Sequence, residues 1–123
     1  MGLDQFAYST KEQNVINDED FKGVESAHAF FQWRKNYPLQ NWMQDFWSDK
    51  TGKTSVYEFN CSPIRLREED IEFLRKDIES GKLAEDFAEN DYTSFMKERD
   101  LSFCKMALEK IKEGRAIYYV PWW

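Results

Sequence analysis

Apolar and polar residues alternate over Leu3-Asp4-Gln5-Phe6-Ala7-Tyr8, which puts Leu3, Gln5 and Ala7 on one side and Asp4, Phe6 and Tyr8 on the other. A period of two predicts a short strand. Residues 9–24 are polar and acidic, with Asn17-Asp18-Glu19-Asp20 and Gly23, and read as a loop or excursion. From Glu25 to Asn36 the spacing turns helical: Ala27, Phe30, Phe31 and Arg34 share a face, with Trp33 beside it. Pro38 breaks that helix, because its ring disfavours helical backbone at Tyr37. A second helix follows with Pro38 in its first turn and Leu39, Trp42, Met43 and Phe46 on one side, ending in Asp49-Lys50-Thr51-Gly52-Lys53.

Beyond this helix–break–helix unit, the β-branched and aromatic run Thr54-Ser55-Val56-Tyr57-Glu58-Phe59 predicts a strand. Pro63 separates it from a second extended piece, Ile64-Arg65-Leu66. A helix is clearest over Glu68–Ser80, where Ile71, Leu74 and Ile78 form the apolar stripe and Glu72 pairs with Lys76. Its first turn carries Glu68, Glu69 and Asp70, which complement the helix dipole, and Gly81 stands where a C-terminal cap belongs. Residues 84–94 are acidic and aperiodic, a second loop. The spacing predicts another helix over Phe95–Glu113, with Leu101, Cys104, Leu108 and Ile111 inward and Gly114 as its stop, and a strand over 116–123. The sum is a single α+β domain over 1–123, with a small mixed or antiparallel sheet of three to four strands and about four helices.

Composition narrows the function classes. The chain has 123 residues with 23 carboxylates and 17 Lys/Arg, a formal net charge of −6. That balance argues against nonspecific nucleic-acid binding, which needs a basic patch. No apolar run approaches the ~20 residues that span a bilayer, and no cationic segment followed by an apolar stretch opens the chain. Cys61 and Cys104 lie far apart without a CxxC, and His28 is the single histidine, so neither a zinc site nor another cofactor is expected. Two free thiols and no export signal fit a reducing cytoplasm.

The candidate catalytic motifs are thin. Thr51-Gly52-Lys53-Thr54 contains the GKT of a phosphate-binding loop. That loop needs a glycine five positions earlier, a strand before it and a helix after it; here Trp47 holds the glycine's place and the element order is reversed. His28 has the right titration range for a general base but no accompanying nucleophile motif. The carboxylates of residues 68–70 and 85–86 read as solvated helix-start and loop charges, with a DNA-mimicking array as a remote alternative.

Aromatic content is the unusual feature: 5 Trp, 6 Tyr and 10 Phe make 17% of the chain. Most of these rings fill the core, yet neighbours such as Trp122-Trp123 point in different directions, so some should reach the surface. Trp and Arg dominate recognition hot spots. The candidate binding residues are therefore Trp33, Arg34, Lys35, Gln40, Asn41 and Trp42 around one pocket, with Asn60 near it, and the terminal Trp122 and Trp123. Arg34 and Lys35 suit a phosphate or carboxylate ligand.

The motifs Met1-Gly2-Leu3-Asp4, Trp33-Arg34-Lys35, Leu39-Gln40-Asn41-Trp42-Met43, Phe59-Asn60-Cys61 and the ending Ile117-Tyr118-Tyr119 with Trp122-Trp123 resemble a family of small bacteriophage and bacterial proteins. Its members are often labelled phosphoglycerate kinase in phage genomes, although a kinase of that name is far longer and has two domains. The resemblance covers most of the chain except 9–24 and 84–95. It implies a viral context, an intracellular setting and an α+β fold. The family pattern usually has histidine where this chain has Gln40, and Phe and Gly where it has the acidic stretch 83–92. The expected function is a phage-type accessory protein that binds, and inhibits or modulates, a host or viral protein through an aromatic surface. The alternative is a binder of, or enzyme acting on, a small phosphorylated or nucleotide ligand.

Overall fold

Strand β1 (Asp4–Lys11) pairs along its whole length with the C-terminal strand β6 (Arg115–Trp122), antiparallel, from Asp4 opposite Trp122 to Lys11 opposite Arg115. The computed structural model describes residues 2–123, so Met1 of the opening motif lies outside it. β4 (Phe31–Arg34) adds to the free edge of β1 and β5 (Ile64–Leu66) to that of β6, giving a four-stranded antiparallel sheet in the order β4-β1-β6-β5. Helices α1 (Tyr37–Thr51), α2 (Glu68–Glu79) and α3 (Ser94–Lys112) complete one α+β domain.

Both faces of the sheet are covered, which explains why β6 is buried without alternation from Ala116 to Pro121. Ile117 and Tyr119 join Ala7 and Leu66 in the main core with the three helices. Ala116 and Tyr118 face the other way and pack with Phe21. Phe21 belongs to a small hairpin of β2 (Val15–Asn17) and β3 (Asp20–Phe21). Tyr118 anchors that hairpin by donating its hydroxyl to the Asn17 carbonyl at 2.6 Å.

The helices and strands depart from the sequence reading in three places. The predicted helix over 25–36 is a short 3₁₀ turn at Val24–Ser26 followed by β4, so three α-helices form rather than four. Phe31 and Trp33 fit a period of two as well as a helical face, and the unpaired edge of β1 decides between them: Ala7 aligns with Phe31 and Asp4 with Arg34. The predicted strand over 54–59 is a 3₁₀ turn, Val56–Phe59, in which only Phe59 is buried, stacked on Trp47 at 4.9 Å. The edge of β6 open to it is taken by β5 instead. Finally, residues 9–24 are not all loop, since β1 runs on to Lys11 and the β2–β3 hairpin follows. Residues 84–94 hold one 3₁₀ turn beyond Ala84, Glu89–Asp91, and end on Ser94, the first residue of α3.

Candidate functional site

Two tryptophans define two different regions. Trp33 sits on β4 with its ring in the core, 4% exposed, against Phe103 of α3 at 4.8 Å. Its indole N–H donates to Asp100 Oδ1 at 2.9 Å. Asp100, fully buried on α3, also accepts from Asn36 Nδ2 at 3.0 Å and from the Tyr92 hydroxyl at 2.7 Å. Burial pushes its carboxyl up to about 6, against the opposing pull of the hydrogen bonds from Tyr92, Asn36 and Trp33. Burial likewise drives the Tyr92 and Tyr119 hydroxyls far above their ordinary range.

From Asp100 the polar network runs through Asn36 to the centre of the sheet. The Asn36 N–H donates to Gln5 Oε1 at 2.9 Å, and Gln5 Nε2 donates to the Asn36 carbonyl and to the Tyr119 oxygen. Tyr119 in turn donates to Gln40 Oε1, whose own Nε2 is buried without a partner. Asn36 also caps α1, accepting from the Leu39 N–H at 3.1 Å, with Pro38 in the first turn as the sequence predicts. Apart from Gln40 Nε2, the polar atoms here are bonded to one another, so the network orients β1, β6 and the start of α1.

Trp42, on α1, makes the same bond in an open setting. Its indole N–H donates to Asp77 Oδ2 on α2 at 2.9 Å. The ring stacks on Phe46 at 5.5 Å and 9°, and Phe73 of α2 tilts across it at 5.7 Å and 58°. Between the two helices lies a groove of about 250 Å³ lined by these three rings with Asp45, Asp49, Asp77 and Lys82. Phe73 is 53% exposed. It lies off the Ile71–Leu74–Ile78 stripe, an apolar residue on the polar side of its helix, and that misfit is the signal by which sequence alone could have found it. Adjoining hollows share Phe73 with Glu69 and Glu72, and Trp42 with Glu85 and Asp86.

The expected single pocket is therefore divided. Trp33, Arg34 and Lys35 line a separate hollow of about 160 Å³ with Arg99 and Phe95. Arg34 is solvated, with its Nε 3.9 Å from Asp4, and Lys35 adopts a left-handed backbone, φ 56°. Gln40 is interior, tied to Tyr119, and is not a pocket residue. Asn41 is exposed and lies with Trp42 at the end of the acidic face. Asn60 clamps the C-terminus: its Nδ2 donates to the Trp123 carbonyl at 3.0 Å and its Oδ1 accepts from the Trp123 N–H at 2.9 Å. Trp123 packs on the core, whereas Trp122 is 58% exposed.

His28 is exposed and Cys61 exposed, while Cys104 is buried with its thiol pushed up to about 12 by desolvation. Among the described residues no group of three His, Cys, Asp or Glu lies together as metal ligands would. No helix among them is long and apolar enough to cross a membrane. Compared with known proteins, the chain matches no family model, no curated protein and no solved structure.

Proposed function

We propose that this protein acts by binding another protein through the α1–α2 groove, as an accessory factor of viral type that modulates its target. The observation that carries the reading is the ring cluster Trp42–Phe46–Phe73, held rigid by the bond from Trp42 to Asp77 and left uncovered at Phe73. Fixed aromatic rings beside charged groups are the anatomy of a recognition hot spot. The viral context rests on the resemblance of the Trp33-Arg34-Lys35, Asn41-Trp42-Met43 and Trp122-Trp123 motifs. Cross-linked capture from bacterial lysate tests the reading: wild type should retain a defined protein that Phe73→Asp loses at an unchanged melting temperature. Identical captures by the two proteins would count against it.

A second reading is favoured by the hollow of about 160 Å³ beside β4, whose lining includes the cationic residues Arg34, Lys35 and Arg99, suited to a phosphate or carboxylate. Arg99 is partly engaged, donating to the Gln32 carbonyl at 2.7 Å and covering the Phe31 ring at 4.7 Å. Melting temperatures measured with nucleotides and sugar phosphates decide it. A ligand at 100 times its Kd should stabilise by ~2.7 kcal/mol, and Arg34→Ala with Lys35→Ala should remove the gain.

A further inference from the structure

We propose that the α1–α2 groove seats the arginine or lysine side chain of a basic, partly apolar segment of its partner protein; this deepens the reading above and rests on it. Two properties of the groove point the same way. Its lining includes three rings: Trp42 and Phe46 nearly parallel, with Phe73 tilted against Trp42. Its lining is anionic, with Asp45 and Asp49 exposed on α1, one helical turn apart, and on α2 the buried Asp77, whose Oδ2 accepts from Trp42. Flat π-faces and carboxylates attract the same kind of group, a cation with an apolar stem.

The charge balance around the groove excludes the competing occupants. Glu69, Glu72, Glu85 and Asp86 lie in the hollows to either side, and the cations lining these three spaces are Lys76 and Lys82. An acidic peptide, a phosphorylated ligand or an anionic membrane would meet like charge. A second copy of this face would do the same. A neutral apolar helix would cover Asp45 and Asp49 without pairing them, which costs more than covering the rings returns. A guanidinium can lie on the Trp42 face while its N–H groups reach a carboxylate.

The chain already makes this pairing once within itself. The Lys50 ammonium sits 5.5 Å from the centre of the Phe46 ring and 3.7 Å from Asp70 Oδ1. Phe46, a ring of the groove, thus already has an ammonium over it that a carboxylate also holds, the same pairing a partner's cation would make with Trp42 or Phe73 and the carboxylates of Asp45 and Asp49. The apolar part of the partner segment would cover Phe73.

Short fluorescently labelled peptides of arginine and leucine, and of lysine and leucine, test the proposal by anisotropy. Controls are the same peptides with citrulline, the neutral isostere, for arginine, and with glutamate. The arginine peptide should bind at least about tenfold tighter than its citrulline counterpart. That advantage should vanish in Asp45→Asn/Asp49→Asn, while Phe73→Ala should weaken both peptides. Positions 45, 49 and 73 are all exposed, so folding is not at issue, and an unchanged melting curve checks it. 5-Fluorotryptophan NMR should show the Trp42 resonance moving with the arginine peptide. Equal binding of the arginine and citrulline peptides, preference for glutamate, or no binding of any of them would overturn the cation. If the captured partner is then still lost with Phe73→Asp, the groove remains the docking surface and only its chemistry is wrong; if it is not lost, both readings fall.

Discussion

Trp33 and Trp42 make one and the same bond, an indole N–H donated to an aspartate at 2.9 Å, and the surroundings give it opposite meanings. At Trp33 the acceptor is Asp100, sealed in the core with Asn36 and Tyr92 filling its remaining capacity. At Trp42 the acceptor is Asp77, which lines a groove where Trp42 is half-buried and Phe73 is exposed. The first arrangement spends the hydrogen bond on closing β4, α1 and α3 together. The second spends it on holding a ring still at the surface. An aromatic–carboxylate pair is thus not a site in itself; what decides is whether the partners of the pair are saturated.

The strongest way to break the comparison is to make the same substitution at each place. Trp33→Phe removes one donor from the buried Asp100 carboxylate and opens a cavity beside Phe103, so it should cost about 2–4 kcal/mol of unfolding free energy. Trp42→Phe also removes a donor, but water can reach the groove and a ring remains against Phe46, so the loss should stay within about 1 kcal/mol. Urea unfolding of the two variants measures both. Equal losses would mean that the Asp77 pair is as structural as the Asp100 pair.

Next in size is a pH effect confined to the closed region. The Asp100 carboxyl is raised from 3.8 to about 6 in the folded protein, so the fold prefers it protonated. The stability this gives is fully present below about pH 4 and is lost as pH rises through about 6, a fall of roughly 3 kcal/mol. Asp18 and Glu72 act in the opposite sense, since their hydrogen-bonded arginines Arg67 and Arg75 hold them below the ordinary carboxylate range and their contribution goes as pH falls. Both are solvated, so their opposing effect is small. The denaturation midpoint should therefore drop between about pH 4 and 7, and Asp100→Asn should flatten that slope without altering peptide binding at the groove.

How much of these two regions the sequence revealed follows from the range of the interactions. Helix α2 was legible because its stripe, its acidic first turn and the cap at Gly81 are all local. So were the strand nature of β6 and the proline-started α1. β4 was not, because its conformation is decided by pairing with β1 some thirty residues away. The Asp100 network was invisible for the same reason: Gln5, Asn36, Tyr92, Asp100 and Tyr119 come from five separate segments, and nothing local marks an aspartate for burial. Of the groove, the sequence singles out Trp42 but groups it with Trp33, from which the structure separates it, while Phe73 is readable only as an exception to its own helix's pattern. Gln40 looked like a polar anchor for a ligand and is instead an acceptor for Tyr119 in the interior.

The smallest expected effect concerns the turn that joins the closed region together. Lys35 lies between Trp33 and Asn36, both committed to Asp100, and its N–H donates to the Leu3 carbonyl at 2.8 Å. Bringing an indole from the end of β4 and an amide from the cap of α1 onto one carboxylate requires the chain to reverse within a single residue, and Lys35 does so with φ at 56°. A side chain pays about 1–2 kcal/mol for that conformation, which glycine avoids at the cost of a more flexible unfolded chain. Lys35→Gly should then raise stability by about 0.5–1 kcal/mol in urea and leave capture by the groove unchanged. A loss of stability instead would show that the lysine side chain contributes to the closed region. A loss of capture would show that the two regions are coupled through α1, which carries Asn36 at its start and Trp42 in its second turn.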